Sequence, residues 1–425
     1  MKTGIRFTSL CLSLSLIVLL LTQNFAMATN DTATAIYNPH FKTLKVSVAD
    51  NFMSPPVIRL GTDDRIIFSF DEIGEQNSWL QYRLIHCNGD WRPSRLTESE
   101  YLDGFNIADI EDFAYSQNTF IHFTNYRIEL PNQDMQPIVS GNYLIQVFDR
   151  DEPSVTILQA RFMISEENAV ISGGVTSRTD RGFNTEWQQL DFAVNISSIT
   201  RANPYQDIDV AIMQNGTETS RRILSRPMRV ENSTLFFSHQ QELIFPAGNE
   251  YRRFETVSVT FPGMGTDSVK YVGPNYHVWL KRDQARGFRN YEYDQTQHGR
   301  FLVKEYNATD SDLGADYVTV HFSLDAPHLR DFDIFVDGEM THDNFSETNR
   351  LKYDFEKRIY TLEMPLKQGA YNYRYVTRPA NSASAPISSQ QIEGNKYETQ
   401  NEYWIAVYYH PPGSRADRLI GFFTL

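Results

Sequence analysis

Apolar and polar positions alternate in short runs along most of the chain, separated by Gly, Pro, Asn and Asp. Early runs are Leu44-Lys45-Val46-Ser47-Val48, Arg65-Ile66-Ile67-Phe68-Ser69-Phe70 and Tyr143-Leu144-Ile145-Gln146-Val147-Phe148. Each puts apolar side chains on one face of a pleat, which predicts half-buried strands. Residues 126–130 and 160–164 continue the pattern, whereas 94–103 is short and polar and predicts a helical turn.

A first seam falls at Glu166-Glu167-Asn168, ahead of Gly173-Gly174. In the next block Leu190, Phe192, Val194 and Ile196 alternate, and 209–213 runs into Asn215-Gly216, a type I′ hairpin signal. Residues 257–261 and 276–280 read as later strands. A polar, acidic stretch at 307–316 predicts a second seam. The last block holds Val318-Thr319-Val320-His321-Phe322, Asp333-Ile334-Phe335-Val336 before Asp337-Gly338, Tyr371-Asn372-Tyr373-Arg374-Tyr375 and Trp404-Ile405-Ala406-Val407-Tyr408-Tyr409. Its loop at 381–391 is rich in Ser, Ala and Pro. The prediction is an all-β chain of three consecutive β-sandwich domains, immunoglobulin-like or early-set-like, at 29–167, 168–310 and 311–425.

Residues 1–28 predict a signal peptide. Lys2 and Arg6 precede an apolar stretch at 10–21 that is too short to span a bilayer, and Ala26-Met27-Ala28 supplies the small-x-small cleavage pattern. Cleavage there leaves 397 of the 425 residues and removes two cations, taking the net charge from -14 to -16. An acidic surface argues against nucleic acid and against anionic lipid. Of the two cysteines, Cys11 lies in the signal without the small residues of a lipid-anchor site. Cys87, in the run Leu84-Ile85-His86-Cys87, reads as a buried packing residue that leaves no intramolecular disulfide.

Motifs for chemistry do not assemble. The ten histidines form no H-x-H or H-x-x-x-H pair, and Asp331, Asp333 and Asp337 read as strand acids and a turn rather than a calcium loop. There is no G-x-S-x-G elbow and no glycine-rich phosphate loop. The expectation is a protein that is not an enzyme, with no cofactor, metal or small-molecule substrate. Trp79, Trp91, Trp187, Trp279 and Trp404 leave an alternative, an envelope carbohydrate-binding protein with exposed aromatic platforms.

Longer strings carry a resemblance. Ile85-His86-Cys87-Asn88-Gly89-Asp90-Trp91, Glu100-Tyr101-Leu102-Asp103-Gly104-Phe105-Asn106, Pro131-Asn132-Gln133-Asp134-Met135 and Ser140-Gly141-Asn142-Tyr143 lie in the first block. Glu398-Thr399-Gln400-Asn401-Glu402-Tyr403, Val407-Tyr408-Tyr409-His410-Pro411-Pro412-Gly413 and Asp417-Arg418-Leu419-Ile420-Gly421 lie near the C-terminus. In these strings and their order the chain resembles the plug protein family of the type IX secretion system. It departs from the family at Asn88 and Gln400, where an acid is commoner, and at His410, where Arg is commoner.

The resemblance implies a periplasmic protein that reversibly closes the periplasmic mouth of a giant outer-membrane β-barrel translocon, its partner, without a lipid anchor of its own. It supplies no catalytic residues. A compact body of the mature length has a radius of gyration of about 21 Å and a diameter of roughly 50–55 Å, wide enough to cap a very wide channel. Trp91, Tyr101 and Phe105 are expected to be apolar anchors of a packed loop and candidate contacts with the barrel, with Asp90 and Asp103 bonding loop amides.

Overall fold

The computed structural model describes residues 32–49, 51–200 and 202–425. The expected signal peptide lies outside them. Among the described residues helix is confined to short turns such as Glu98–Tyr101 and Ser311–Gly314, and none is long and apolar enough to cross a membrane. The turn expected at 94–103 is Glu98–Tyr101, whose first residues are held by the Glu100 carboxylate accepting the Thr97 amide at 2.7 Å.

The first pair of sheets follows the alternation closely. One sheet runs in the order Ala35–Ile36, Thr156–Ser165, Gly141–Asp149, Leu80–Cys87 and Ala108–Asp109. The facing sheet is Phe41–Val48, Ile66–Ile73, Phe123–Leu130 and Phe113–Tyr115. Ile66, Phe68 and Phe70 from one sheet meet Leu80, Tyr82, Leu84, Tyr143 and Phe162 from the other in a single core. Burying a side chain of this size contributes about 1.5–3 kcal/mol, so the period-two pattern is enough to fix which face turns inward.

The second and third pairs are interleaved along the chain. In the second, Val170–Thr176, Trp187–Asn195, Thr234–Phe237 and Arg229–Glu231 face Arg222–Leu224, Ile208–Gln214, Tyr403–Tyr409 and Arg418–Thr424. Ile208–Gln214 pairs with Tyr403–Tyr409 over its full length, from Ile208 opposite Tyr409 to Gln214 opposite Tyr403. Asn215 and Gly216 take the positive φ that a type I′ turn needs, at 53° and 66°. The chain then continues through Glu218–Ser220 before Arg222–Leu224 returns, so the turn is longer than two residues.

In the third pair, Arg252–Glu255, Gly369–Pro379, Phe301–Val303 and Phe332–Asp337 face a sheet of Thr266–Val272, Asn275–Leu280, Tyr317–Asp325, Ile359–Lys367 and Lys352–Asp354. Phe254 and Val278 share its core with Val320, Ile334 and Tyr375.

The expected boundary at 310/311 is therefore displaced, and the sandwiches are not consecutive. Strands between 252 and 303, assigned by position to the second block, close the third core. Strands between 403 and 424, assigned to the third, close the second. The third sandwich is an insertion within the second. Alternation states which side chains of a strand are buried but not which strand lies beside it. The polar stretch 307–316 is a loop inside the insertion.

Candidate functional site

Cys87 ends a strand, and the next four residues turn back on themselves. The Asn88 amide donates to the Arg92 carbonyl at 2.8 Å, the Trp91 amide to the Asn88 carbonyl at 2.8 Å, and the Arg92 amide to Asp90 Oδ1 at 3.0 Å. Trp91 sits at φ 67°, a left-handed conformation costly for a bulky residue. Its indole is buried, with the Arg161 guanidinium 4.3 Å from the ring centroid. Together with Cys87, Leu144 and Met163, it packs against Ala211, Ala406, Tyr408 and Leu419 of the second sandwich in a small apolar core. Burial pushes the Cys87 thiol up to about 12, so it stays protonated as a packing residue.

Around this core runs a ring of polar contacts between the two sandwiches. The Gly89 amide donates to Asp417 Oδ2 at 2.8 Å, the Asp417 amide to Asn88 Oδ1 at 3.1 Å, and Arg221 to the Gly89 carbonyl. A Cβ at Gly89 would lie 3.0 Å from the Tyr408 ring, so the close approach favours glycine. The Tyr408 hydroxyl donates to Asn142 Oδ1 at 2.8 Å, and Asn142 Nδ2 donates to the Asn88 carbonyl at 2.9 Å. His410 lies between Asp417 at 2.5 Å and Asp209 at 2.9 Å. Hydrogen bonds to Asp209 and Asp417 raise its pKa to about 10, so the imidazole is a cation at neutral pH. A cavity of about 170 Å³ lies beside it, lined by Asp90, Arg221 and Tyr408 among others. The sequence strings at the two ends of the chain thus meet at one junction.

The first and third sandwiches meet at a buried ion pair. Lys367 Nζ is 2.7 Å from Asp71 Oδ2, and both side chains are essentially inaccessible to solvent. Asp71 also accepts from the Tyr317 hydroxyl at 2.7 Å and from Asn125 Nδ2 at 2.8 Å, while Lys367 donates to the Asp312 carbonyl at 2.6 Å and lies 4.0 Å from the Phe123 ring centroid. Nearby, Asp316 accepts the Phe120 and Ile121 amides at 2.7 and 3.0 Å. The second and third sandwiches are joined by Arg300 and Glu402 at 2.7 Å and by the Glu218 amide donating to Asp343 Oδ2 at 2.7 Å. Burial, with the neighbouring Asp337 carboxylate, pushes Asp343 up to about 7.

The three expected anchors separate. Trp91 and Tyr101 are buried, Tyr101 donating its hydroxyl to the Leu84 carbonyl at 3.0 Å, so neither offers surface to a partner. Phe105 is 79% exposed and anchors nothing. That corrects its expected role as an anchor of the loop, though not as a candidate contact with the barrel: Leu102–Gly104 pairs at the rim with Met135–Pro137, and the next residue turns outward. Asn106, two-way bonded to the Leu84 backbone at 2.9 Å, holds the loop in its place. Asp90 bonds the Arg92 amide as expected, but Asp103 points to solvent.

Lys367, Asp71 and Arg221 were not singled out by sequence, since a buried charge carries no local signature. Of the five tryptophans behind the carbohydrate-binding alternative, Trp91 and Trp404 are buried, Trp404 beside Gly216 and donating to Glu402, while Trp79 is 68% exposed. Among the described residues no group of three or more His, Cys, Asp or Glu side chains is placed to hold a metal ion.

Fold and junctions together define a multi-sandwich β protein whose sandwiches are locked by buried polar contacts. The family model described as type 9 secretion system plug protein 1st domain matches residues 41–166, the span of the first sandwich. A crystal structure of a hypothetical protein from Parabacteroides merdae is 38% identical, with a TM-score of 0.89, covering 92% of this chain and 98% of that one. An alkylpurine DNA glycosylase from Pseudomonas fluorescens aligns over 29% of each chain at 13% identity and a TM-score of 0.16. The E. coli alpha-2-macroglobulin aligns over 92% of this chain and 23% of that one at 8% identity and 0.17; neither likeness carries an argument. No curated protein matches. The chain belongs to the type IX secretion system plug family. With membership go a plug role in that system and a place in the cell envelope.

Proposed function

We propose that the protein closes the periplasmic opening of the giant outer-membrane β-barrel translocon of the type IX secretion system, and that it does so by bulk rather than by chemistry. The observation that carries this reading is the family match, and the locked junctions support it. A stopper must resist deformation, and residues 34–425 form one compact unit in which three cores are tied by buried ion pairs and a shared apolar core. Buried polar contacts fix one arrangement because any sliding leaves a charge unpaired, at a cost of several kcal/mol. A stopper of this kind needs no catalytic group, cofactor or lipid anchor and acts from the periplasm.

Release on demand requires an interface of moderate affinity, polar at its rim. Affinity purification from detergent-solubilised envelopes tests the partnership. One very large outer-membrane barrel should co-elute with the tagged protein, and its absence at low and moderate salt would count against the reading.

A further inference from the structure

Sheet edges expose unpaired backbone groups, and proteins protect them with short strands, charges, prolines, bulges or a covering segment. Most sheet ends among the described residues show one of these devices. Ala35–Ile36, Ala108–Asp109 and Phe113–Tyr115 are two or three residues long. Phe41–Val48 carries Lys42, Lys45 and a bulge. Thr266–Val272 carries Asp267, Lys270 and a bulge. Arg252–Glu255, Arg229–Glu231, Arg222–Leu224 and Lys352–Asp354 are short and charged. The outer side of Arg418–Thr424 is met by the Glu166 and Ala169 amides, which donate to the Leu419 and Ile420 carbonyls.

Val170–Thr176 departs from this pattern. It ends its sheet, pairs with Trp187–Asn195 over all seven residues without a register shift, and carries no charge or proline. In a chain of net charge -14, the stretch Ala169-Val170-Ile171-Ser172-Gly173-Gly174-Val175-Thr176-Ser177 is wholly neutral. Ile171 is buried, while Val170 is 69% exposed and Ser172, Gly173, Gly174 and Val175 are exposed. Among the described residues the backbone of Val170–Thr176 makes no backbone hydrogen bond outside its sheet, and the Arg178 amide reaches only the Thr176 hydroxyl, at 3.1 Å. Gly173 lies where a Cβ would meet Phe192 at 2.4 Å, so packing explains that glycine; Gly174 has nothing within 4 Å of its Cβ position, so packing does not explain the second.

We propose that Val170–Thr176 is a β-augmentation edge that takes up an extended, uncharged segment of the outer-membrane barrel. This rests on the proposed function and names the contact through which it acts. Seven residues present about 23 Å of edge at ~3.3 Å per residue. An unpaired edge is satisfied by another extended backbone, which supplies the matching donors and acceptors. The absence of charge selects a segment that is itself uncharged, since a charged one would lose solvation without gaining a partner.

Gly174→Lys and Ser172→Lys test this, because each places a charge on the edge at an exposed position and Gly174 has open space around it. Circular dichroism and thermal melting should match the unaltered protein. Co-purification of the barrel from envelopes should be lost, because a lysine on an edge strand opposes the addition of another strand. A photo-crosslinking residue at Ser172 in the otherwise unaltered protein should give an adduct with the barrel. If the unaltered protein retains the barrel and both lysine variants retain it equally, the edge assignment is overturned while the plug reading stands. If the unaltered protein retains no barrel, the plug reading fails and the edge assignment falls with it. A dimer of the purified protein that either lysine abolishes would assign the edge to a second copy and also overturn the proposal.

Discussion

Lys367 and Asp71 are almost 300 residues apart in sequence and 2.7 Å apart in space, with the Tyr317 hydroxyl and Asn125 amide completing the carboxylate's bonds. Lys367→Ala leaves Asp71 as a buried charge without its cation and should cost about 3–5 kcal/mol of stability, read from urea unfolding. Removing both charges with Lys367→Met and Asp71→Leu should cost less than the single change, because neither charge is then stranded. A double variant weaker than both singles would contradict this.

His410 sets a pH dependence. Its folded pKa is raised to about 10 from the usual 6.5, so its stabilising contribution is complete below pH 6.5 and is lost as pH rises toward 10. The urea midpoint should fall across that window. His410→Arg, charged throughout, should remove the fall, and His410→Leu should lower the midpoint at pH 6 and flatten the profile. An unchanged slope in both variants would contradict the assignment. His410 is thus a cation held between Asp209 and Asp417. Burial at Trp91 was legible from its neighbours, whereas Phe105 was misread because an aromatic residue in a tight loop gives no sign of which way it turns.

At the scale of elements, alternation located most strands and the all-β class, and it missed the order in which they assemble. The run at 404–409 is apolar or aromatic throughout and reads the same whether it lies beside 208–214 or beside 371–375; pairing depends on contacts about 200 residues apart, which no local pattern records. The C-terminal strings return to the first block and meet it at Gly89 and Asp417, a contact that neither string announces locally. Deleting residues 403–425 should therefore strip Ile208–Gln214 of the strand it pairs with and leave Trp187–Asn195 facing half a sheet. Hydrogen exchange should show protection lost in Trp187–Asn195 and Ile208–Gln214 while Tyr317–Asp325 remains protected. Loss confined to residues beyond 311 would contradict the interleaved arrangement.

At the scale of the molecule, the three sandwiches act as one body because each pair shares a junction that is buried, polar and geometrically demanding. Such a body suits the proposed obstruction, in which size and stiffness close the opening and the edge Val170–Thr176 makes the contact. The most direct measurement is outer-membrane permeability to a hydrophilic solute too large for ordinary porins, compared in cells with and without this protein while the translocon is present. The account predicts that entry rises when the protein is removed and returns to its original rate when the protein is restored. Entry that is the same in both cells, with the translocon shown to be assembled, would contradict it.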